Sequence, residues 1–334
     1  MERPLRFGVA GAGYFGRHYI RLLSDMPGAT LAAVADSSPG IFEKNFPTLP
    51  AAVGRFTDAN DLAHNPILDC MVIATPATSH AQLVIAALEA GKHVLVEKPM
   101  AMNMAEAEQI CDAVQKSGRT FLVGHQYLYN DYVRYLKSEL ERGVIGRARY
   151  LVAEHLYFGP IRSDIGCFWE TATHEMAMID YLFSPGPIRD ARARAVDFSG
   201  SGRDDFASAA MTFESGLVAA ITVSWFAPEK IRRMTLAGER GMAVFDDRGK
   251  EKLKLFLHPY PRASGKDKAT SQFLAFGEGQ ILAPVLDGRE PLRNQLEHFI
   301  SCVRRGLEPE SGISHGMRVT AMLDAVSRGI LEET

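Results

Sequence analysis

Three glycines, Gly11, Gly13 and Gly16, stand directly behind an apolar run containing Leu5, Phe7, Val9 and Ala10. No other feature constrains the start of this chain as strongly. The spacing predicts a strand, a tight turn and a helix, because apolar residues at helical spacing follow over residues 14–24 before Pro27 and Gly28 end the pattern. In such a turn Gly11 permits the sharp bend, Gly13 lets backbone approach a bound group, and Gly16 allows close helix packing. The free amides of the helix start, beside Tyr14 and Phe15, then face an anion such as a pyrophosphate. A second apolar strand over residues 31–35 ends at Asp36, whose carboxylate accepts hydrogen bonds from a ribose and repels a ribose phosphate. Ser37 and Ser38 follow rather than an arginine, so NAD is expected over NADP.

A further strand over residues 69–74 runs into Thr75, Pro76 and His80, then a helix over 81–90 and a strand over 93–96 that closes on Glu97-Lys98-Pro99. Alternating strand and helix implies a parallel α/β Rossmann sheet with its ligand at the strand C-termini. Thr75, Pro76, Glu97, Lys98 and Pro99 are therefore expected at the nicotinamide end, and His80 is placed with the cofactor-side residues, a packing role competing. The Lys98–Pro99 bond is of the kind that permits a cis peptide.

The chain has 334 residues, 46% of them hydrophobic, enough for two domains, expected over residues 1–123 and 124–334 with the boundary near Gly124. A net charge of −3 gives no overall basic signature for nucleic acid or an acidic membrane. Cys70, Cys111, Cys167 and Cys302 show no C-x-x-C spacing, so no metal site is expected and a reducing, cytoplasmic setting is. The first strand follows Met1-Glu2-Arg3-Pro4 almost at once, and no apolar run is long enough to span a bilayer. The second half predicts a helix over 131–141. It then predicts β-rich segments over 148–155, 188–198, 207–213, 217–224, 232–238 and 241–246, an α+β domain with a large, mostly antiparallel open sheet. Residues 262–272 read as a polar surface loop, and residues 293–304 and 317–331 as helices, one of which can return to the first domain. A half-solvated sheet of this size suits a subunit interface, so a homo-oligomer, dimer or tetramer, is expected.

These residues together resemble the Gfo/Idh/MocA family of NAD(P)-dependent sugar and cyclitol oxidoreductases. The likeness lies in the glycine turn, Thr75-Pro76 with His80, Glu97-Lys98-Pro99, Gly124-His125, and residues 169–175 reading Trp-Glu-Thr-Ala-Thr-His-Glu. It implies that Lys98 contacts nicotinamide and substrate and that His174 meets the oxidised hydroxyl. The chain departs from the family in carrying Glu170 and Glu175 where aspartates are common, and Leu128 where an arginine often stands. Residues 156–164, 224–232 and 290–293 resemble the branch that oxidises C3 of UDP-N-acetylglucosamine, with an aminotransferase acting next on the keto sugar towards lipid A-type or envelope glycans. Tyr157, Arg162 and Arg232 become substrate contacts on that likeness. Arg162, Lys230, Arg232 and Arg293 are the cations available for a pyrophosphate.

Alcohol oxidation needs a base within reach of the hydroxyl, and a histidine titrates near neutrality. His174 is the first candidate, with Lys98 holding the alkoxide; burial that lowers the lysine's pKa exchanges the roles. Glu97 is expected to orient Lys98, and Glu170, one helical turn before His174, to face the same substrate. His125 reads as structural, and Trp169 and Trp225 as core residues as readily as sugar platforms. The competing readings are a dehydrogenase for UDP-N-acetylglucosaminuronate or a free sugar or cyclitol, and a nucleotide-binding sensor without chemistry.

Overall fold

The computed structural model describes residues 3–257 and 279–329, so the polar stretch at 262–272 lies outside the described residues. They form two compact units. One comprises residues up to Tyr129 together with Arg289–Asp324, the other Asn130–Gly288 and the residues from Ala325 onward.

The first unit contains β1 (Leu5–Ala10), α1 (Gly16–Leu23), β2 (Ala29–Ala35), α2 (Ile41–Asn45), β3 (Gly54–Phe56), α3 (Ala59–Ala63), β4 (Cys70–Ile73), α4 (His80–Glu89), β5 (His93–Val96), α5 (Met104–Ser117) and β6 (Phe121–Val123). Its six strands pair in parallel in the order β3-β2-β1-β4-β5-β6. Strands of such a sheet are covered on both faces and read as unbroken apolar runs; β4, Cys-Met-Val-Ile, is fully buried throughout. The strand order reverses between β1 and β4, which opens a crevice beyond their C-terminal ends, where the glycine turn and Thr75 lie. Strand β3 was not foreseen: three residues, Gly-Arg-Phe, are too short to show a period.

The first unit does not stop at residue 123. Ser311 pairs with Val123 through backbone and hydroxyl at 2.8 Å each, the Tyr129 and Ser311 hydroxyls lie 2.9 Å apart, and Asn294 donates to the Tyr129 carbonyl at 3.0 Å. The returning chain thus holds residues 124–129 in this unit.

The second unit contains α6 (Asp131–Glu141), β7 (Ala148–Phe158), α7 (Cys167–Phe183), β8 (Ile188–Val196), β9 (Phe206–Phe213), β10 (Val218–Ser224), β11 (Phe226–Gly238), β12 (Met242–Asp246), β13 (Leu253–Leu257) and β14 (Gln280–Leu282). The remaining α-helices among the described residues are α8 (Pro291–Arg305) and α9 (Ile313–Arg328). The strands form one sheet, β14-β13-β12-β11-β7-β10-β9-β8, antiparallel except for the β7–β10 pair. Alternation along β7 sends Leu151, Ala153 and His155 to the buried face and leaves Tyr150 and Val152 exposed at 47% and 41%; Val218, 44% exposed, pairs beside Tyr150. Helix α7 is buried without interruption over residues 171–180, and α6 is tied to it by Lys137, which donates to the Tyr181 carbonyl at 2.6 Å.

Asp69, just before β4, accepts both Arg3 guanidinium nitrogens at 2.7 and 2.8 Å and the Arg6 backbone N–H at 2.8 Å. The Arg3 hydrogen bond, with those from Arg6, holds its carboxyl well below the usual range. A depressed carboxyl stabilises the fold above its unfolded pKa of about 3.9 and loses that contribution as pH falls through and below that value. Asp69→Asn is expected to lower Tm at pH 7, and the gap to the parent should close as melts are recorded at successively lower pH below about 4.

Candidate active site

The glycine turn sits between β1 and α1. Gly11 has φ +88°, and a Cβ there would lie 2.4 Å from the Ala74 carbonyl oxygen; one on Gly16 would lie 1.8 Å from the Gly11 carbonyl oxygen. Those two positions are demanded by the turn itself. A Cβ on Gly13 would meet nothing within 4 Å, so its backbone faces open space. No side chain caps the start of α1. Asp36 closes the loop from the other side, accepting the Ala12 N–H at 2.7 Å on one oxygen and the Ser38 N–H at 2.8 Å on the other. Each carboxylate oxygen keeps a lone pair for a ribose hydroxyl. Open backbone at Gly13, a helix start that no side chain covers and a fixed carboxylate at the end of β2 fit a dinucleotide. Tyr14 is 78% exposed beneath the Arg17 guanidinium, while Phe15 turns in to pack edgewise near His18. Ser37 is exposed beside Asp36.

At the end of β4, the Thr75 and Ser79 hydroxyls lie 2.8 Å apart and Pro76 is exposed. His80 is buried, with Nδ1 2.8 Å from the Pro99 carbonyl oxygen and Nε2 3.0 Å from that of Thr75. The ring thus lies between two backbone carbonyls, and His80 ties the Thr75 loop to the Lys98–Pro99 loop.

Lys98 is half-buried beyond β5, and its bond to Pro99 is cis. Glu97 Oε2 accepts the Lys98 backbone N–H at 3.2 Å. Oε1 accepts the Tyr19 hydroxyl at 2.6 Å, and Gln295 donates to that hydroxyl at 3.0 Å. Burial and the charge of Glu97 push the Tyr19 phenol well above its usual range. His125 is buried edge-on against His315, ring centroids 5.0 Å apart, and Leu128 is fully buried.

In the second unit α7 carries Glu170, Thr171, His174 and Glu175, and β7 carries His155 and Tyr157. His174, 8% exposed, stacks on His155 with centroids 5.6 Å apart and planes inclined at 24°. His155 Nδ1 donates to Glu175 Oε1 at 3.0 Å. The Thr171 hydroxyl donates to Glu170 at 2.8 Å and accepts the Trp225 indole N–H at 3.1 Å, which fixes Trp225 in the core. Burial, then the charge of Glu170, pushes the Tyr157 phenol up. Two expected substrate contacts carry carboxylate partners: Arg162 grips Asp164 at 2.9 and 2.6 Å, and Arg232 lies 3.7 Å from Asp247. Asp204, from the β8–β9 loop, accepts the Phe168 N–H at 2.7 Å and so caps the start of α7, its carboxyl raised by burial. A Cβ on Gly166 would fall 1.8 Å from that carboxylate.

Sequence reasoning missed Tyr19, Gln295, His155, Thr171 and Asp204. Only His155 left a signal, as a polar residue at the buried parity of β7.

Residues 5–125 match the oxidoreductase family with an NAD-binding Rossmann fold, and residues 133–244 the GFO/IDH/MocA C-terminal domain. A solved oxidoreductase structure from Magnetospirillum magnetotacticum is 30% identical, covers 96% of this chain and 99% of its own, and superposes with a TM-score of 0.81. The chain belongs to the Gfo/Idh/MocA family. Inositol 2-dehydrogenase of Rhizobium meliloti is 25% identical over 98% of both chains, and UDP-N-acetylglucosamine 3-dehydrogenase of Acidithiobacillus ferrooxidans 27% identical over 78% of both. As a Gfo/Idh/MocA protein it is an oxidoreductase whose first unit is an NAD-binding Rossmann domain. No helix among the described residues is long and apolar enough to cross a membrane.

Asp36→Ala removes charge-assisted bonds worth about 1.5–3 kcal/mol each, so the Kd for NAD measured by calorimetry should rise about tenfold or more. Asp204→Ala should cost about 1–2 kcal/mol of stability in urea melts through loss of the α7 cap.

Proposed function

We propose that this chain is a cytoplasmic, homo-oligomeric NAD-dependent dehydrogenase that oxidises the C3 hydroxyl of a UDP-linked sugar, UDP-N-acetylglucosamine first, to a 3-keto sugar nucleotide. An aminotransferase would consume that ketone. The observation that carries the chemistry is the α7–β7 cluster, where a buried histidine stacks on a second one that is itself held by a buried carboxylate. The UDP-sugar is supported by the relative from Acidithiobacillus ferrooxidans and by the cations around Arg232, whose charge lowers the Lys230 pKa.

Bound NAD supplies the hydride acceptor. His174 takes the hydroxyl proton, and the charge it gains is offset across the histidine stack by Glu175. Lys98 holds the substrate oxygen and stabilises the alkoxide. Glu170, with Thr171 on one of its oxygens, fixes the sugar by accepting a hydroxyl. Tyr157, Arg162 and Arg232 hold the rest of the substrate. A second copy of the chain covers the exposed β7 and β10 side chains Tyr150, Val152 and Val218.

One observation favours a second reading. Arg162 is committed to Asp164 and Arg232 lies near Asp247, which weakens diphosphate recognition and suits a free sugar or cyclitol, as in the inositol dehydrogenase that matches end to end.

The test follows nicotinamide absorbance with NAD, UDP-N-acetylglucosamine, its uronate, free sugars and myo-inositol, with a carbonyl trap present. Turnover of UDP-N-acetylglucosamine is expected, falling about 10²–10⁴-fold in kcat for His174→Asn and for Lys98→Met. Turnover of inositol or a free sugar alone selects the second reading. No turnover with any of them leaves a nucleotide-binding sensor.

A further inference from the structure

Beside Lys98 lies a buried hydrogen-bond chain that the reaction itself does not use. Tyr19 is fully enclosed in α1, the helix whose start forms the glycine turn, and the ring of Phe15 from that turn packs on it at 6.1 Å. Its hydroxyl donates to Glu97 at 2.6 Å, the short range of a hydroxyl on an ionised carboxylate. Gln295 of α8, also fully buried, supplies the hydrogen bond that the Tyr19 oxygen accepts. The second Glu97 oxygen takes the Lys98 backbone N–H.

Glu97 is 5% exposed, and a carboxylate at that depth needs strong donors. Its slot has no slack: a Cβ on Gly124 would lie 2.9–3.1 Å from the three carboxyl atoms. The Tyr19 hydroxyl is therefore one of the donors that fix the Glu97 carboxylate, and the carboxylate holds the main chain from which the Lys98 side chain departs.

We propose that Tyr19 is a positioning residue for Lys98, acting through Glu97 and linking the cofactor-loop helix to the lysine. The proposal rests on the role given to Lys98 above. A phenylalanine at this position fills the same space and removes only the hydroxyl, so Tyr19→Phe is the direct probe, and Gln295→Leu removes the outer link as a second one.

Tyr19→Phe should lower kcat about tenfold or more on the substrate turned over fastest in the panel, with KM for NAD and sugar within about twofold. In a Lys98→Met background the same change should alter residual turnover less than about twofold, since the residue it acts through is gone. A second arm needs no substrate: the rate at which trinitrobenzenesulfonate modifies Lys98, read by peptide mass spectrometry against Lys116 in the same sample. Tyr19→Phe should change the Lys98 rate severalfold and leave Lys116 unchanged, with Gln295→Leu giving a smaller change of the same sign. Parent kcat with parent labelling, or a double-variant loss equal to the product of the single losses, overturns the proposal. If no substrate turns over, labelling alone decides it. Full activity in Lys98→Met overturns the proposed function instead, and leaves the labelling result to judge the link between Tyr19 and Lys98.

Discussion

A carboxylate buried at the end of a central strand sets conditions on much of the first unit. Beyond the adjacent Lys98 N–H, Glu97 takes a donor from a distant part of the chain, Tyr19 of the helix after β1, with Gln295 of α8 behind it. It also needs room, which only a glycine at position 124 leaves. The return of the chain at residue 289 therefore completes an electrostatic environment as well as covering apolar surface. An ion without partners at this depth would cost several kcal/mol on order-of-magnitude grounds, more than most single contacts contribute.

The second unit answers a related problem with a helix. Helix α7 is buried along most of its length yet carries Glu170, Thr171, His174, Glu175 and Asp180. It tolerates them because partners are arranged on neighbouring elements: His155 on β7 for Glu175, Trp225 for Thr171, and Asp204 for the helix start. Asp205, next in sequence, accepts the Phe198 and Ser199 amides, so the same loop is pinned on both sides of the cap.

What the sequence disclosed and what it hid divide along the range of the interactions. Gly11, Gly13 and Gly16, the unbroken apolar strand β4 and the alternating strand β7 were legible because each obeys a local rule of spacing. So were the parallel and mainly antiparallel sheets built from them. Glu97 and Lys98 stood out as charges closing an apolar strand. The partners of those charges did not, since a hydrogen bond between Tyr19 and Gln295 leaves no period in either helix. The pairing of Arg162 with Asp164 is local, yet two opposite charges in a loop read equally as solvent-facing residues. His80 was placed on the cofactor side by its position, and the two backbone carbonyls beside its ring left no mark in the sequence.

The clasp between Val123 and Ser311 joins residues 188 positions apart. At a synthesis rate of about 5–20 residues per second, β6 would emerge roughly 10–40 s before the segment that completes its edge. For most of that interval the nucleotide-binding unit has its glycine turn and its sheet but lacks the helix that supplies Gln295. The order of emergence from the ribosome thus makes the dinucleotide half the first to begin folding and among the last to be finished, with residues 130–288 of the second unit synthesised inside the gap.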